Sequence, residues 1–136
     1  METFAIHKGA MIAPRKARMT LDLIRGKDVA TAQGILNTTN TKASRLIVKV
    51  LNSAIANAVN NNSAIESELV ISECYINPGQ VLKRIKFGSR TKVDRRDKRT
   101  SHITVKVTDN KNEIVEVAEE VKTEAKKATK KVKEAK

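Results

Sequence analysis

Aromatic side chains are nearly missing from this chain of 136 residues: Phe4, Tyr75 and Phe87 are all it has, and tryptophan is absent. Readers of single-stranded nucleic acid that hold bases by stacking need several exposed rings, so a platform of the RRM or OB type is disfavoured. The one cysteine, Cys74, has no second cysteine with which to form an intramolecular disulfide. It sits inside an apolar, strand-like pattern, which predicts a small core residue in a reducing compartment. No run approaches the roughly 20 apolar residues that span a bilayer, and the start of the chain lacks a basic segment followed by an apolar block and a cleavage site. A cytoplasmic location without membrane contact is the expectation.

Catalytic parts are missing as well. His7 and His102 fall on separate predicted strands with no cysteine, histidine or glutamate at ligand spacing, which removes the usual metal and general-base constellations. For His102 a hydrogen-bonding or RNA-contacting role is expected instead. The five glycines form neither a dinucleotide fingerprint nor a phosphate loop, and no serine sits in a nucleophile elbow. No enzyme activity, metal or cofactor is predicted.

Positive charge is what the chain has in abundance. Lys and Arg number 27 against 15 acids, a formal net charge of +12. Nine of these cations crowd between Lys83 and Arg99, namely Lys83, Arg84, Lys86, Arg90, Lys92, Arg95, Arg96, Lys98 and Arg99, with only Asp94 and Asp97 among them. Such a segment has almost nothing apolar to bury, and its physical use is to follow a dense array of phosphates. A second cluster, Arg15, Lys16 and Arg18, opens a predicted helix, where the dipole favours acids. Phosphate contact is expected there too. Arg25 and Lys27, at the far end of that helix, read as an ordinary solvated face.

Periodicity places these residues on elements. Thr3 to Ile12 reads as an edge strand. Pro14 suits the first position of a helix running to Arg25, with Ala17, Leu21 and Ile24 on one side and Gly26 after its end. Asp28 is placed to cap a short helix from Val29 to about Asn37. Ala43, Leu46, Ile47, Val50, Leu51, Ala54, Ile55 and Ala58 recur at helical spacing after a Thr41 cap, and Asn60, Asn61 and Asn62 end that helix. From there the period is two: strands are predicted at Glu68–Ile76 and His102–Thr108, the second with Ile103, Val105 and Val107 facing inward. The fold class is therefore α+β, three helices packed on a small antiparallel sheet with a long extended basic β-hairpin at 78–102. Residues 1–109 form the predicted domain. Residues 110–136 read as a low-complexity tail of eight Lys and six Glu with a conditional helical stripe, Ile114, Val117, Ala118, Val121, Ala125, Ala128 and Val132.

Several strings are specific enough to indicate a relative. Pro14-Arg15-Lys16-Ala17-Arg18, Asp22-Leu23-Ile24-Arg25-Gly26-Lys27, Leu51-Asn52-Ser53-Ala54-Ile55-Ala56-Asn57-Ala58, Leu82-Lys83-Arg84 and Lys98-Arg99-Thr100-Ser101-His102-Ile103 resemble the bacterial large-subunit ribosomal protein family numbered twenty-two. The resemblance runs in order from about Ile6 to Asp109. It implies a structural, non-enzymatic protein in cytoplasmic ribosomes, seated on large-subunit rRNA near the exit side and supporting rRNA assembly. It further implies a hairpin that lines the nascent-peptide tunnel, near which macrolides bind. The rRNA-binding residues implied are Arg15, Lys16, Arg18, Lys83, Arg84, Lys86, Arg90, Lys92, Arg95, Arg96, Lys98, Arg99, Thr100, Ser101 and His102, and the tunnel-lining tip is Phe87, Gly88, Ser89, Arg90 and Thr91. Partners implied are the rRNA, neighbouring large-subunit proteins and the nascent peptide at the tip, with no homo-oligomer.

The chain departs from the family pattern at the tip. It has Phe87-Gly88-Ser89 and Lys92-Val93 where members commonly carry Pro-Arg-Ala and Gly-Arg-Ala, and Pro78-Gly79 replaces the usual Gly-Pro entry. Two other readings compete. A nucleoid-type DNA-binding architectural protein would lay the basic β-arm in a groove, as a dimer, with Phe87 as an apolar wedge. An RNA-processing enzyme would need an acid/base or metal cluster, which the sequence lacks.

Overall fold

The period-two run through Ile103 becomes the middle of the sheet. In the computed structural model, which describes residues 2–109, three strands pair antiparallel in the order β1-β3-β2, with β1 at Glu2–Ala10, β2 at Leu69–Phe87 and β3 at Val93–Asp109. The central strand is thus the last in the chain. Ile103, Val105 and Val107 are fully buried, and in register they face Ile76, Cys74 and Ile71 on β2, with Ala5 of β1 opposite Val105.

Helices cover that face. Helix α1, Pro14–Leu21, begins at the proline and buries Ala17, Thr20 and Leu21. It is shorter than the predicted Pro14–Arg25 segment: after Leu21 the chain passes through turns to Gly26, whose φ of +68° suits a residue without Cβ. Ile24 is still buried, so the apolar stripe continues past the last helical hydrogen bond. Helix α2, Val29–Thr38, follows Asp28, but the Asp28 carboxylate makes no capping bond. The Asp28 backbone bridges Val70 and accepts the first helical bond from the Ala32 N–H.

Helix α3, Lys42–Asn62, is the largest layer element. Thr41 Oγ1 accepts from the Ser44 N–H at 3.1 Å, the capping bond expected of threonine. All of Ala43, Ile47, Val50, Leu51, Ala54, Ile55 and Ala58 are buried, and Leu46 packs at the margin. The helix ends where Ser63 turns left-handed at φ 51° and the Ala64 N–H reaches back to Ala58 O. Asn57 Nδ2 donates to Phe4 O at 3.2 Å, which ties the late turns of α3 to the outer edge of β1.

Cys74 is one of the core residues, as its sequence context predicted. Burial is the main cause that pushes its thiol above the ordinary cysteine value, against a smaller opposing effect of Arg25. The other face of the sheet has no helix among the described residues. Phe4, Ile6 and Tyr75 stay exposed there, around Lys106, which reaches Glu73 at 2.8 Å and Glu2 at 3.4 Å. The Glu73 hydrogen bond is the first cause that holds the Lys106 ammonium above the usual lysine value. The expected tail, 110–136, lies outside the described residues.

Candidate nucleic-acid interface

Strands β2 and β3 do not stop where the core stops. Their pairing continues from Val81↔Arg99 to Phe87↔Val93, so the predicted strands at Glu68–Ile76 and His102–Thr108 are each the inner portion of a longer strand. Every residue from Lys83 to Arg99 is exposed. Backbone ladder bonds, which need no apolar side chain, carry the sheet outward into solvent.

At the root a bulge sets the geometry. The register passes from Pro78↔Ser101 to Val81↔Arg99, so Gly79 and Gln80 together oppose Thr100. A Cβ at Gly79 would lie 2.6 Å from Thr100 Oγ1 and 3.3 Å from His102 Nε2, which is why a residue without a side chain stands there. Thr100 Oγ1 donates to Gln80 O at 2.7 Å and ties the bulge shut. On the other side, the Gly9 N–H donates to His102 Nδ1 at 3.0 Å where β1 slips its register. Thr100 and Ser101 are buried. Thr100 ties the root through Gln80 O, while Ser101 Oγ is buried without a hydrogen-bond partner among the described residues.

Beyond the bulge the ribbon has two unlike faces, because directly paired residues share a side. One carries Leu82, Arg84 and Lys86 opposite Lys98, Arg96 and Asp94. The other carries Val81, Lys83, Ile85 and Phe87 opposite Arg99, Asp97, Arg95 and Val93. On the first face Arg84 stands directly across from Arg96, a like-charge pair that costs free energy unless an anion lies near both. Arg84 and Arg96 also line a groove of about 450 Å³ with Met11, Leu82, Asp97 and Lys98. Met11 was not among the expected site residues; it is found only because β1 ends beside the hairpin root. Among the described residues, no hairpin cation makes an ion pair with Asp94 or Asp97. The cationic field is left unneutralised by the protein itself.

The tip is a tight turn. Gly88 N–H donates to Lys92 O at 2.7 Å around Ser89, Arg90 and Thr91, and Arg90 and Thr91 take left-handed φ values of 54° and 59°. That conformation is uncommon for a non-glycine residue and strained for a β-branched one. Phe87 is 76% exposed beside it.

The cluster on α1 divides by task. Arg15 and Lys16 are exposed, with no carboxylate partner among the described residues. Arg18 instead forks onto Ile76 O through Nε at 3.2 Å and Nη2 at 2.9 Å, joining α1 to β2 just before the bulge. Arg25, read as a solvated residue, makes an exposed ion pair with Asp22 at 2.8 Å and reaches Cys74 O at 3.4 Å. Arg18 on α1 and Arg25 in the turn after it thus both reach the backbone of the strand that becomes the hairpin. Among the described residues no group of histidine, cysteine and acidic side chains could hold a metal, and no helix is long and apolar enough to cross a membrane.

Comparison with known proteins finds relatives over most of the chain. The family described as ribosomal protein L22p/L17e matches residues 5–108. A protein of Oceanobacillus iheyensis named large ribosomal subunit protein uL22 is 50% identical over 111 residues, covering 82% of this chain and 98% of its own. Its namesake in Halothermothrix orenii is 46% identical with the same coverage. That of Staphylococcus aureus is 47% identical over 116 residues, covering 85% of this chain and 99% of its own.

Proposed function

Because the chain belongs to the ribosomal protein L22p/L17e family, we propose that it binds large-subunit rRNA through its hairpin and α1, supports the assembly of that RNA, and lines the nascent-peptide tunnel with the hairpin tip. Its role is structural and not enzymatic, and its place is in ribosomes in the cytoplasm. The observation that carries the proposal is the ribbon beyond Val81: paired backbone, no core, nine cations against two acids, and no ion pair to neutralise them. An isolated ribbon of that charge repels itself, and phosphates on both sides supply the missing counter-charge.

Arg15, Lys16, Lys83, Arg84, Lys86, Arg90, Lys92, Arg95, Arg96, Lys98 and Arg99 are the proposed phosphate contacts. Arg18, Thr100 and His102 serve the same site by fixing the direction in which the ribbon leaves. Phe87, Gly88, Ser89, Arg90 and Thr91 are the proposed tunnel residues. Neighbouring large-subunit proteins complete the set of partners.

The test shortens the ribbon without disturbing its register. Replacing Lys86–Asp94 with Asn-Gly keeps the Ile85↔Arg95 pair and closes it with a two-residue turn. Ribosomes carrying this protein should assemble, and their macrolide footprints should differ from those with the full ribbon. Unchanged footprints in fully occupied ribosomes would remove the tip from the tunnel.

A further inference from the structure

The hairpin is not the only basic surface. Between Val29 and Ile65 the chain contains no acidic residue, and its three cations are Lys42, Arg45 and Lys49. At spacings of three and four they fall on one face of the first two turns of α3, and all three are exposed. An ordinary solvated helix face mixes signs so that cations find acids at i+3 or i+4. This face has none. Among the described residues, no carboxylate pairs with Lys42, Arg45 or Lys49, and the single partner is neutral, Asn40 Oδ1 accepting from Arg45 Nη2 at 3.3 Å. Cations this early in a helix also lie against its dipole. Beside them the turn between α2 and α3 forms an open groove of about 560 Å³, lined by Asn37, Thr39, Asn40 and Ser44 as well as Arg45 and Lys49.

We infer that this face is a third phosphate-backbone contact, separate from the hairpin and α1, through which the same rRNA also reaches α3. The inference rests on the proposed rRNA binding. Charge alone on a disordered arm would make a diffuse attraction, whereas three cations set at helical spacing beside the exposed amides of Asn37 and Asn40 suit a structured backbone.

The experiment uses the full chain, a transcript of large-subunit rRNA, and affinity measured over a range of salt concentrations. The variant K42Q/R45Q/K49Q keeps good helix formers at exposed positions. It should lower the magnitude of the slope of log K against log salt by about 2 to 3, and weaken binding roughly 50- to 150-fold near 0.15 M salt. Each single glutamine variant, a milder change that preserves the fold, should lower the slope magnitude by about 0.7 to 0.9. A hairpin variant, K83Q/R84Q/R96Q/K98Q, runs in parallel. If the hairpin variant loses affinity and the α3 variants match the unmodified protein, the α3 contact is wrong and the hairpin reading stands. If neither loses affinity, rRNA binding itself fails. If the α3 triple variant binds the transcript normally but is depleted from ribosomes, the face meets an acidic protein, and the inference is overturned in favour of that partner.

Discussion

Substituting alanine for Gly79 tests whether the hairpin root is a packed joint or a slack connection. The new Cβ would lie 2.6 Å from Thr100 Oγ1 and 3.3 Å from the Thr100 carbonyl carbon, closer than carbon and oxygen pack without displacement. Thr100 cannot swing aside freely: it is 5% exposed and its hydroxyl is committed to Gln80 O at 2.7 Å. Rotating it away forfeits that bond, worth about 1 kcal/mol net, and leaves residual overpacking against backbone. Overpacking changes cost about 1–3 kcal/mol, from which the entropic advantage of alanine over glycine recovers about 0.4–1 kcal/mol. G79A should therefore destabilise by roughly 1–3.5 kcal/mol, at about 4–8 °C in Tm per kcal/mol for a domain near this size. T100A alone should cost about 1 kcal/mol. In the double variant the atom that clashes is gone, so G79A should cost little in the T100A background. A coupling of similar size from a urea-denaturation cycle is the expected result. Effects that add to within about 0.5 kcal/mol would refute the joint, because the two residues would then not be in contact.

Two further outcomes follow from the same geometry. R18A should lower stability by about 1–2 kcal/mol, since a charged donor fork on Ile76 O is lost, while R15A should stay within about 0.5 kcal/mol; thermal unfolding of the two proteins side by side distinguishes them. Stability should decline as pH rises past about 8.5, where the thiol of Cys74 ionises in the unfolded chain but not in the fold. A raised folded value gives full stability below the unfolded value and loss as pH climbs through the folded one, so C74A should flatten this limb. The separate loss from Lys106, which also has a raised value, begins only above about 10.4. A C74A profile identical to the unmodified one would mean that the thiol ionises freely.

Much of the core could be read from spacing. The α3 stripe and the alternation at Ile103, Val105 and Val107 each report one face of a regular element, and regular elements print their period in the side chains. What the sequence hid was carried by backbone. The Val81–Phe87 and Val93–Arg99 arms lack alternating polarity because both faces meet solvent; the extended hairpin at 78–102 was legible there from charge density, while the residue-by-residue pairing is carried by the backbone ladder. The end of α1 was misplaced because Leu21 and Ile24 are buried whether the turn between them is helical or irregular. The cap expected from Asp28 does not form: its carboxylate makes no capping bond, and its backbone bridges Val70. In the interface, charge density revealed the ribbon, but its two faces depend on a bulge that no side-chain pattern records. Arg18 looked like its neighbours Arg15 and Lys16; its anchor, Ile76 O, lies 58 residues away along the chain.

The strand order has a consequence in time. Glu2 pairs with Thr108, so β1 has no partner until nearly all of the described domain has been made. At about 5–20 residues per second the strand waits on the order of 5–20 s. During that interval β2 also lacks its ladder partner, since β3 is the neighbour of both. Contacts at such separation also form slowly. The last strand to be made, Val93–Asp109, converts two open edges into a sheet and completes the ribbon, so folding of the core and shaping of the projecting arm both wait on β3.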